Sequence, residues 1–287
     1  MIGTIVGLAA AGVVGATGYA FLVEPGIRLV VRKDTFSVPR WPTSHGELTI
    51  AVLTDFHICD PWMSVSRLKR IVKRTNALGA DIILLLGDYE PCYLPRLSKR
   101  IAPEKWIHAL DELSAPLGVH TIMGNHDWWD YPEDVRQALL SSNINLLEND
   151  AVKIERDGGD FWVGGLASMD VSSEGEFASV REDDLPATMA KITDEDPIIM
   201  MVHEPDIFPE VEPRIALTLA GHTHGGQVRL PIIGNPMLPR RYREKYGYGT
   251  VVEDERHMLV SGGLGCTYLP LRLGVPPEIN LVTVTAA

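Results

Sequence analysis

The sequence has few cysteines and few basic side chains, and each shortage excludes a class of protein. Its three cysteines, Cys59, Cys92 and Cys266, fit neither a disulfide framework nor a zinc-ribbon spacing. We therefore expect thiols rather than disulfides, as in a reducing compartment. Lys and Arg number 26 against 38 Asp and Glu, a formal net charge of -12. Because proteins that coat nucleic acid carry a basic face, we expect no nucleic-acid partner.

The N-terminal residues 1–23 contain no charged side chain. About 20 apolar residues are enough for a helix to cross a membrane. No Lys or Arg precedes this stretch, so the basic start of a cleaved signal peptide is missing. Four basic residues between positions 28 and 40 favour a cytoplasmic location for the part that follows. We expect a single-pass membrane anchor with a cytoplasmic catalytic domain; the alternatives are a signal peptide and an exported protein.

The remainder of the chain divides into a connector and one domain. Residues 24–46 contain three prolines and are predicted as the connector, and residues 47–287 as the domain. The first half of the domain alternates predicted strands, such as Leu48–Thr54, with amphipathic helices, such as Ser64–Leu78. Predicted strands dominate the second half. This order predicts an α/β fold with stacked layers and a mixed sheet.

Short clusters of metal-ligand residue types follow five of the predicted strands. They are Asp55-Phe56-His57, Gly87-Asp88, Gly124-Asn125-His126-Asp127, His203, and Gly221-His222-Thr223-His224. Each cluster alone is weak evidence, because a lone buried His is more often a core residue. Ligands in open α/β sheets bind beyond the carboxyl ends of strands, which is where all five clusters lie. Strand alternation would also place His222 and His224 on one face. Together the clusters predict a site for two adjacent divalent transition metals.

The order of these clusters resembles the calcineurin-like metallophosphoesterase superfamily. Two further runs, Gly221-His-Thr-His-Gly-Gly-Gln227 and Ser261-Gly-Gly-Leu-Gly265, are typical of its membrane-associated branch of YaeI/YkuE-like phosphodiesterases. The resemblance covers residues 47–287. It implies a four-layer α/β/β/α sandwich and a two-metal hydrolase of phosphoric esters or anhydrides.

The resemblance also implies a role for each ligand. The first metal would be held by Asp55, His57 and His224. The second would be held by Asn125, His203 and His222, and Asp88 would bridge the two. Manganese is the favoured metal, with iron, zinc or cobalt as alternatives, since mixed nitrogen and oxygen ligands suit all four. A water shared by the two ions would supply hydroxide at neutral pH.

Residues beside the ligands have predicted roles as well. His126 would face the leaving oxygen, as general acid or as charge stabiliser. Asp127 would orient the His126 ring or cap the following helix. Of Trp128 and Trp129, at least one is expected to pack in the protein, and either could form an apolar lip.

The predicted substrate contacts are basic. Residues 240–248 are rich in basic and aromatic side chains, and Arg241 within them is a candidate for binding a nucleotide, diphosphate or lipid headgroup. The alternative is a solvated hairpin. Arg272 would contact phosphate or pair with a surface acid.

The predicted anchor and the family resemblance together suggest a membrane-associated lipid-nucleotide substrate. The specific prediction is pyrophosphate cleavage of UDP-2,3-diacylglucosamine in lipid A biosynthesis. The alternatives are a metal-dependent phosphodiesterase or phosphatase with another substrate, and a metal-binding scaffold without catalysis.

Overall fold

The computed structural model describes residues 12–92, 97–129, 131–171, 180–238 and 245–287. Its strands, in chain order, are β1 (Val30–Val38), β2 (Leu48–Leu53), β3 (Cys59–Asp60), β4 (Ile82–Leu85), β5 (Lys99–Arg100), β6 (Val119–Thr121), β7 (Asn145–Leu146), β8 (Asp150–Ile154), β9 (Phe161–Gly165), β10 (Ile198–Met201), β11 (Ile215–Ala220), β12 (Gly249–Glu253), β13 (Arg256–Val260) and β14 (Glu278–Ala286). The helices after the N-terminal segment are α1 (Val65–Asn76), α2 (Pro103–Leu110), α3 (Asn125–Trp129), α4 (Pro132–Leu140) and α5 (Leu185–Ala190). Short 3₁₀ turns cover Thr43–His45, Pro205–Glu210 and His224–Gly226.

Twelve of these strands form two six-stranded mixed sheets, as the sequence predicts, and β3 pairs separately with β5. The first has the order β1-β14-β2-β4-β6-β7, and the second has the order β12-β13-β11-β10-β9-β8. In the first sheet β2, β4, β6 and β7 are parallel, whereas β14 is antiparallel to β2. In the second sheet β9, β10, β11 and β13 are parallel, and β8 and β12 are antiparallel neighbours. The parallel strands of each sheet therefore direct their carboxyl ends to one edge.

Three hydrophobic clusters separate the layers. Because side chains alternate along a strand, Leu53 of β2 packs with Leu68 of α1 on the outer face of the first sheet. Its neighbour Val52 points the other way and packs with the second sheet in the central cluster. On the outer face of the second sheet, Met200 packs with Leu185 of α5. The arrangement is helix, sheet, sheet, helix.

Helix α1 shows how closely local signals locate an element. It begins after Ser64, whose side chain accepts a hydrogen bond from the Arg67 N–H, as an N-terminal cap should. Its buried face contains Leu68, Ile71 and Val72, which the predicted helical spacing places together. The helix ends close to Gly79, whose φ of 64° suits glycine.

Strand β1 lies inside the predicted connector. It pairs in parallel with β14 along its whole length, from Val30 with Glu278 to Val38 with Ala286. The charged run Arg32 to Asp34 argues against a core strand, but β1 occupies the edge of the first sheet. Edge strands tolerate charge because one side is open.

The predicted membrane localisation is contradicted, and with it the cytoplasmic placement of the domain behind a spanning helix. The N-terminal segment is α-helical over residues 12–18, a π-helix over Tyr19–Val23 and α-helical again over Glu24–Gly26. No helix in the described part of the chain is long and apolar enough to cross a membrane. The end of this segment packs on protein instead: Ala20 is buried, and its carbonyl accepts the Arg272 N–H at 3.0 Å. Residues 1–11 of the predicted anchor lie outside the described residues.

The cysteines agree with the expectation of thiols. Cys59 and Cys266 are buried free thiols, and Cys92 is buried as well. Burial raises the pKa of the Cys59 thiol to about 11, which makes it a poor nucleophile near neutral pH.

Candidate metal centre

The ligand-type clusters of the sequence meet at one edge of the two sheets. Asp55, Asp88 and Asn125 follow β2, β4 and β6 of the first sheet, whereas His203 and His222 follow β10 and β11 of the second. The site therefore lies where the carboxyl ends of both sheets come together, as expected for α/β sheets.

Two groups of donor atoms are close enough to hold metal ions. Asp55, His57, Asp88 and His224 each offer one atom within 4.8 Å of the others, and so do His203, Glu204 and His222. Asn125 joins the second group, since its Oδ1 lies 3.0 Å from His222 Nδ1. All seven residues of the predicted ligand set are thus brought together.

Asp88 lies between the two groups. Its Oδ2 is 3.6 Å from His57 Nε2 in the first group and 3.1 Å from His203 Nε2 in the second. Its Oδ1 accepts the backbone N–H of His126 at 3.0 Å. One carboxylate oxygen thus faces both halves of the site.

The donor set fits metal ions because some of its atoms are otherwise left without partners. Asp55 Oδ2 and His203 Nε2 are fully buried, and within the described ranges neither has a hydrogen-bond partner. His203 Nε2 is near Asp88 Oδ2 but does not form a well-directed hydrogen bond with it. Buried polar atoms are seldom left unpaired in folded proteins, and mixed carboxylate, imidazole and amide donors suit divalent transition metals.

Backbone carbonyls select the ring nitrogen that faces the centre. His57 Nδ1 lies 2.8 Å from the Glu90 carbonyl, and His203 Nδ1 lies 2.7 Å from the Leu86 carbonyl. A carbonyl only accepts hydrogen bonds, so Nδ1 carries a proton in both rings, and in the neutral ring Nε2 keeps its lone pair for a metal ion. This is the usual outer arrangement of a metal-binding histidine.

The ligand loops adopt an unusual backbone conformation. Five of the seven predicted ligands have positive φ values between 45° and 70°: Asp55, His57, Asp88, His222 and His224. Such conformations cost residues other than glycine about 1–3 kcal/mol each and concentrate at functional sites. The expectation that His222 and His224 alternate on a strand is wrong, because β11 ends at Ala220. A left-handed loop brings both rings to the site.

Neighbouring glycines allow these loops to touch. A Cβ atom on Gly124 would lie 2.7 Å from His203 Cε1, and one on Gly263 would lie 2.7 Å from Asp55 Cβ. Real Cβ atoms do not approach so closely, so both positions require glycine for the present spacing of the ligands.

Burial and mutual charge govern the ionisation of the site. Burial lowers the pKa of His57, His222 and His224 and keeps these rings neutral, the form that binds metal. Burial also opposes ionisation of Asp88, but the rings of His203, His126 and His57 outweigh it and hold the Asp88 pKa well below its usual range. In turn the Asp88 carboxylate overcomes burial and raises the pKa of His203.

His126 lies at the opening of the site and outside both donor groups. Its ring packs edge-on against Trp129, with centroids 4.2 Å apart, and against His57 at 5.1 Å. Burial, only partly opposed by the Asp88 carboxylate, lowers the His126 pKa to about 3. In the free protein the ring is therefore neutral at pH 7, which favours hydrogen bonding to a developing charge over full proton donation.

Asp127 has neither of its predicted roles. Its carboxylate is fully buried and accepts backbone N–H groups of Asp88, Tyr89, Glu90 and Gly124 at 2.7–2.9 Å. It therefore connects two ligand loops instead of bonding to the His126 ring or capping the following helix α4. Its bond to Gly124, the residue before α3, is that of an N3 carboxylate to the N-cap N–H.

A cleft of about 340 Å³ leads to the centre. Its polar floor includes His126, His222 and His224. Four large apolar side chains contribute to its walls, namely Trp129, Met237, Leu238 and Leu269. Trp129 thus forms the predicted lip, whereas Trp128 packs against the first hydrophobic cluster and Arg136.

The two predicted substrate arginines have different outcomes. Arg241 lies outside the described residues. Arg272 is fully buried, and its guanidinium donates to the carbonyls of Gly262, Gly265 and Val275 at 2.6–2.9 Å. Its guanidinium thus contacts the protein backbone and, at 3.4 Å, Nδ1 of the ligand His224, and among the described residues it pairs with no surface acid.

Two buried glutamates at the site, Glu90 and Glu204, were not among the predicted residues. The Glu90 carboxylate pairs with Arg100 at 2.6 and 2.9 Å. Glu204 accepts the Ser168 hydroxyl at 2.5 Å and the Met169 N–H at 3.1 Å. The position of Glu204 directly after His203 is a usable sequence signal. Nothing local in the sequence connects Glu90 with Arg100.

Comparison with known proteins agrees with this geometry. The model of the calcineurin-like phosphoesterase family matches residues 48–226, more than half of the chain. The uncharacterized metallophosphoesterase YkuE of Bacillus subtilis is 29% identical over 94% of this chain and 90% of its own length. Phosphodiesterase YaeI of Escherichia coli is 27% identical, with coverages of 92% and 91%.

Other similarities extend over only part of longer proteins. A Danio rerio protein with the name "transmembrane protein with metallophosphoesterase domain" is 28% identical to this chain. The match spans 87% of this chain but only 56% of that protein. Among solved structures, the NAD nucleotidase NadN of Haemophilus influenzae superposes with a TM-score of 0.50 at 15% identity. That superposition covers 76% of this chain and 45% of NadN, and indicates a shared fold.

Proposed function

The chain belongs to the calcineurin-like phosphoesterase family, and from this premise we propose that it hydrolyses a phosphoester or pyrophosphate with two divalent metal ions. The observation that carries the proposal is the position of Asp88. Its Oδ2 lies within 3.6 Å of a histidine nitrogen from each donor group, where a carboxylate can serve two cations at once.

We assign the ligands as the family resemblance implies. Asp55, His57 and His224 would hold the first ion, Asn125, His203 and His222 would hold the second, and Asp88 would serve both. Manganese is the proposed metal, although iron, zinc and cobalt suit the same donors. Two such ions, when bound, lower the pKa of a shared water and neutralise charge on the phosphate.

The protein's own groups have separate tasks around these ions. The neutral His126 ring, outside both donor groups and on the floor of the cleft, hydrogen-bonds the leaving oxygen as its charge develops. Glu204, which offers a carboxylate oxygen to the second donor group, is held by Ser168 and Met169.

The composition of the cleft walls favours an amphiphilic substrate. Trp129, Met237, Leu238 and Leu269 offer apolar surface beside the polar floor, so that a phosphate at the floor and an apolar group on the wall can bind together. UDP-2,3-diacylglucosamine has both parts, and cleavage of its pyrophosphate is the specific reaction we propose. Hydrolysis of another phosphodiester is the second candidate, since YaeI is named as a phosphodiesterase.

A two-substrate assay tests the proposal. The full chain is loaded with Mn²⁺ and given either UDP-2,3-diacylglucosamine or bis-(p-nitrophenyl) phosphate, and release of UMP or nitrophenol is measured. We expect metal-dependent turnover of both. Turnover of the model diester alone would reject the lipid nucleotide and retain the hydrolase. Two bound metals without turnover of either compound would indicate the scaffold alternative.

A further inference from the structure

Asp127 is a buried carboxylate of the site that belongs to neither donor group. Its Oδ1 accepts the N–H groups of Tyr89 at 2.7 Å and Glu90 at 2.9 Å. Its Oδ2 accepts those of Asp88 and Gly124, both at 2.9 Å. A carboxylate has about four acceptor positions, so the backbone occupies its whole capacity and leaves none for a metal ion.

The four donors belong to two separate loops. Residues 88–90 follow strand β4, and Gly124 precedes helix α3 after strand β6. The first loop carries Asp88, and the second carries Asn125, one residue from Gly124. A single side chain therefore fixes the position of the shared ligand relative to a ligand of the second ion.

The same loop also orients the first half of the site. The His57 N–H donates to the Asp88 carbonyl at 2.9 Å, and His57 Nδ1 lies 2.8 Å from the Glu90 carbonyl. The backbone from Asp88 to Glu90 is therefore bonded to Asp127 through its N–H groups and to His57 through its carbonyls. A shift of this segment would move ligands of both ions.

We propose that Asp127 is a positioning residue that sets the separation of the two metal positions by holding the Asp88 and Asn125 loops together. The inference rests on the two-metal site proposed above. A change at Asp127 should therefore alter metal binding, and it should alter catalysis only because the metal ligands have moved.

The substitution Asp127→Asn tests this role with little change in volume. The amide keeps one acceptor oxygen but points an NH₂ group at backbone N–H donors, which leaves buried donors unpaired. Changes outside the ligand shell typically weaken metal binding by about 10–100-fold. We therefore expect Mn²⁺ affinity to fall by that factor in calorimetry, and the exchange-coupled dimanganese signal in electron paramagnetic resonance to weaken or disappear at saturating Mn²⁺.

Asp81→Asn is the matched control. Asp81 Oδ2 accepts the N–H and the hydroxyl of Thr49, each at 2.7 Å, and so connects β2 and β4 at the end remote from the site. This variant should lose thermal stability but retain wild-type Mn²⁺ affinity and coupling. An Asp127→Asn protein with wild-type affinity and coupling would overturn the inference. A wild-type protein that binds fewer than two Mn²⁺ ions would instead reject the proposed function.

Hydrogen exchange in the wild-type protein keeps the test independent of whether the variant folds. If Asp127 holds the loops before metal binds, the amides of Tyr89, Glu90 and Gly124 should be protected in metal-free protein to the same degree as amides of β4. Rapid exchange of these amides without metal would show that the loops are not held and would overturn the inference.

Discussion

Asp88 Oδ2 lies 3.1 Å from His203 Nε2, and this contact joins the two sheets at their functional edge. Asp88 follows β4 of the first sheet, and His203 follows β10 of the second. The site is therefore made of residues from both sheets, and the packing of the two sheets brings them together.

Replacing Asp88 with Ala should abolish both metal binding and activity. The change removes the donor that faces both groups, so the loss should exceed the ~100-fold that outer-shell changes cause. Bound Mn²⁺ per chain and the rate of diester hydrolysis are the measurements. Asp111→Ala, which removes a half-buried carboxylate that bonds the Asn143 N–H at the end of α2, remote from the site, is the control. A fully active Asp88→Ala protein with two bound ions would contradict the shared-ligand assignment.

His126→Ala should separate catalysis from metal binding. The ring lines the cleft but belongs to neither donor group, so Mn²⁺ affinity should change little. Loss of a positioned proton-transfer or hydrogen-bonding group typically costs about 10²–10⁴-fold in rate, and we expect kcat to fall in that range. An unchanged kcat with saturating Mn²⁺ would exclude His126 from the reaction.

Arg272→Met should destabilise the protein, and any change in substrate affinity should be secondary to this loss of stability. The buried guanidinium satisfies the carbonyls of Gly262, Gly265 and Val275, and its removal leaves them unpaired. Each hydrogen bond to a charged group contributes about 1.5–3 kcal/mol. Because several are lost together, the free energy of unfolding measured in urea should fall by about 3 kcal/mol or more.

The control for Arg272 is the exposed Arg229, since Arg229→Met should change the free energy of unfolding by less than about 0.5 kcal/mol. Normal stability of Arg272→Met together with a raised KM would favour the substrate contact that the sequence suggests over the structural role.

Tyr248 should make stability fall at alkaline pH. Burial, reinforced by the Glu278 carboxylate that its hydroxyl bonds at 2.6 Å, raises the Tyr248 pKa to about 12 from a usual 10. The phenol ionises more readily in the unfolded chain, so its stabilising contribution is complete below pH 10 and declines as the pH rises from 10 to 12. The free energy of unfolding should fall less steeply over this range in Tyr248→Phe. Equal slopes for the variant and the wild type would contradict the raised pKa.

Local patterns predicted much of the fold. The aliphatic run ending at Leu53 and the helical spacing after Ser64 are short-range signals, and the structure contains β2 and α1 there. Strand β1 was not predicted, because its charged residues are unfavourable in a central strand. They are tolerated at the edge of the sheet, where β1 lies. Its edge position depends on β14, which lies about 250 residues later in the chain. The N-terminal anchor was predicted from uncharged composition, whereas the buried contact of Ala20 with Arg272 depends on distant residues.

The sequence alone determined which residue types could form a metal site and that they follow strand ends, because both are properties of short segments. Only the tertiary structure decided how each is used. Asp127 and Arg272 are both charged residues near the ligands, yet their hydrogen bonds of 2.9 Å or less go to backbone groups of other loops. His222 and His224 share the site through left-handed backbone instead of strand alternation. Hydrogen-bond partners, burial and loop conformation arise from residues far apart in the chain, and these are set when the two sheets pack.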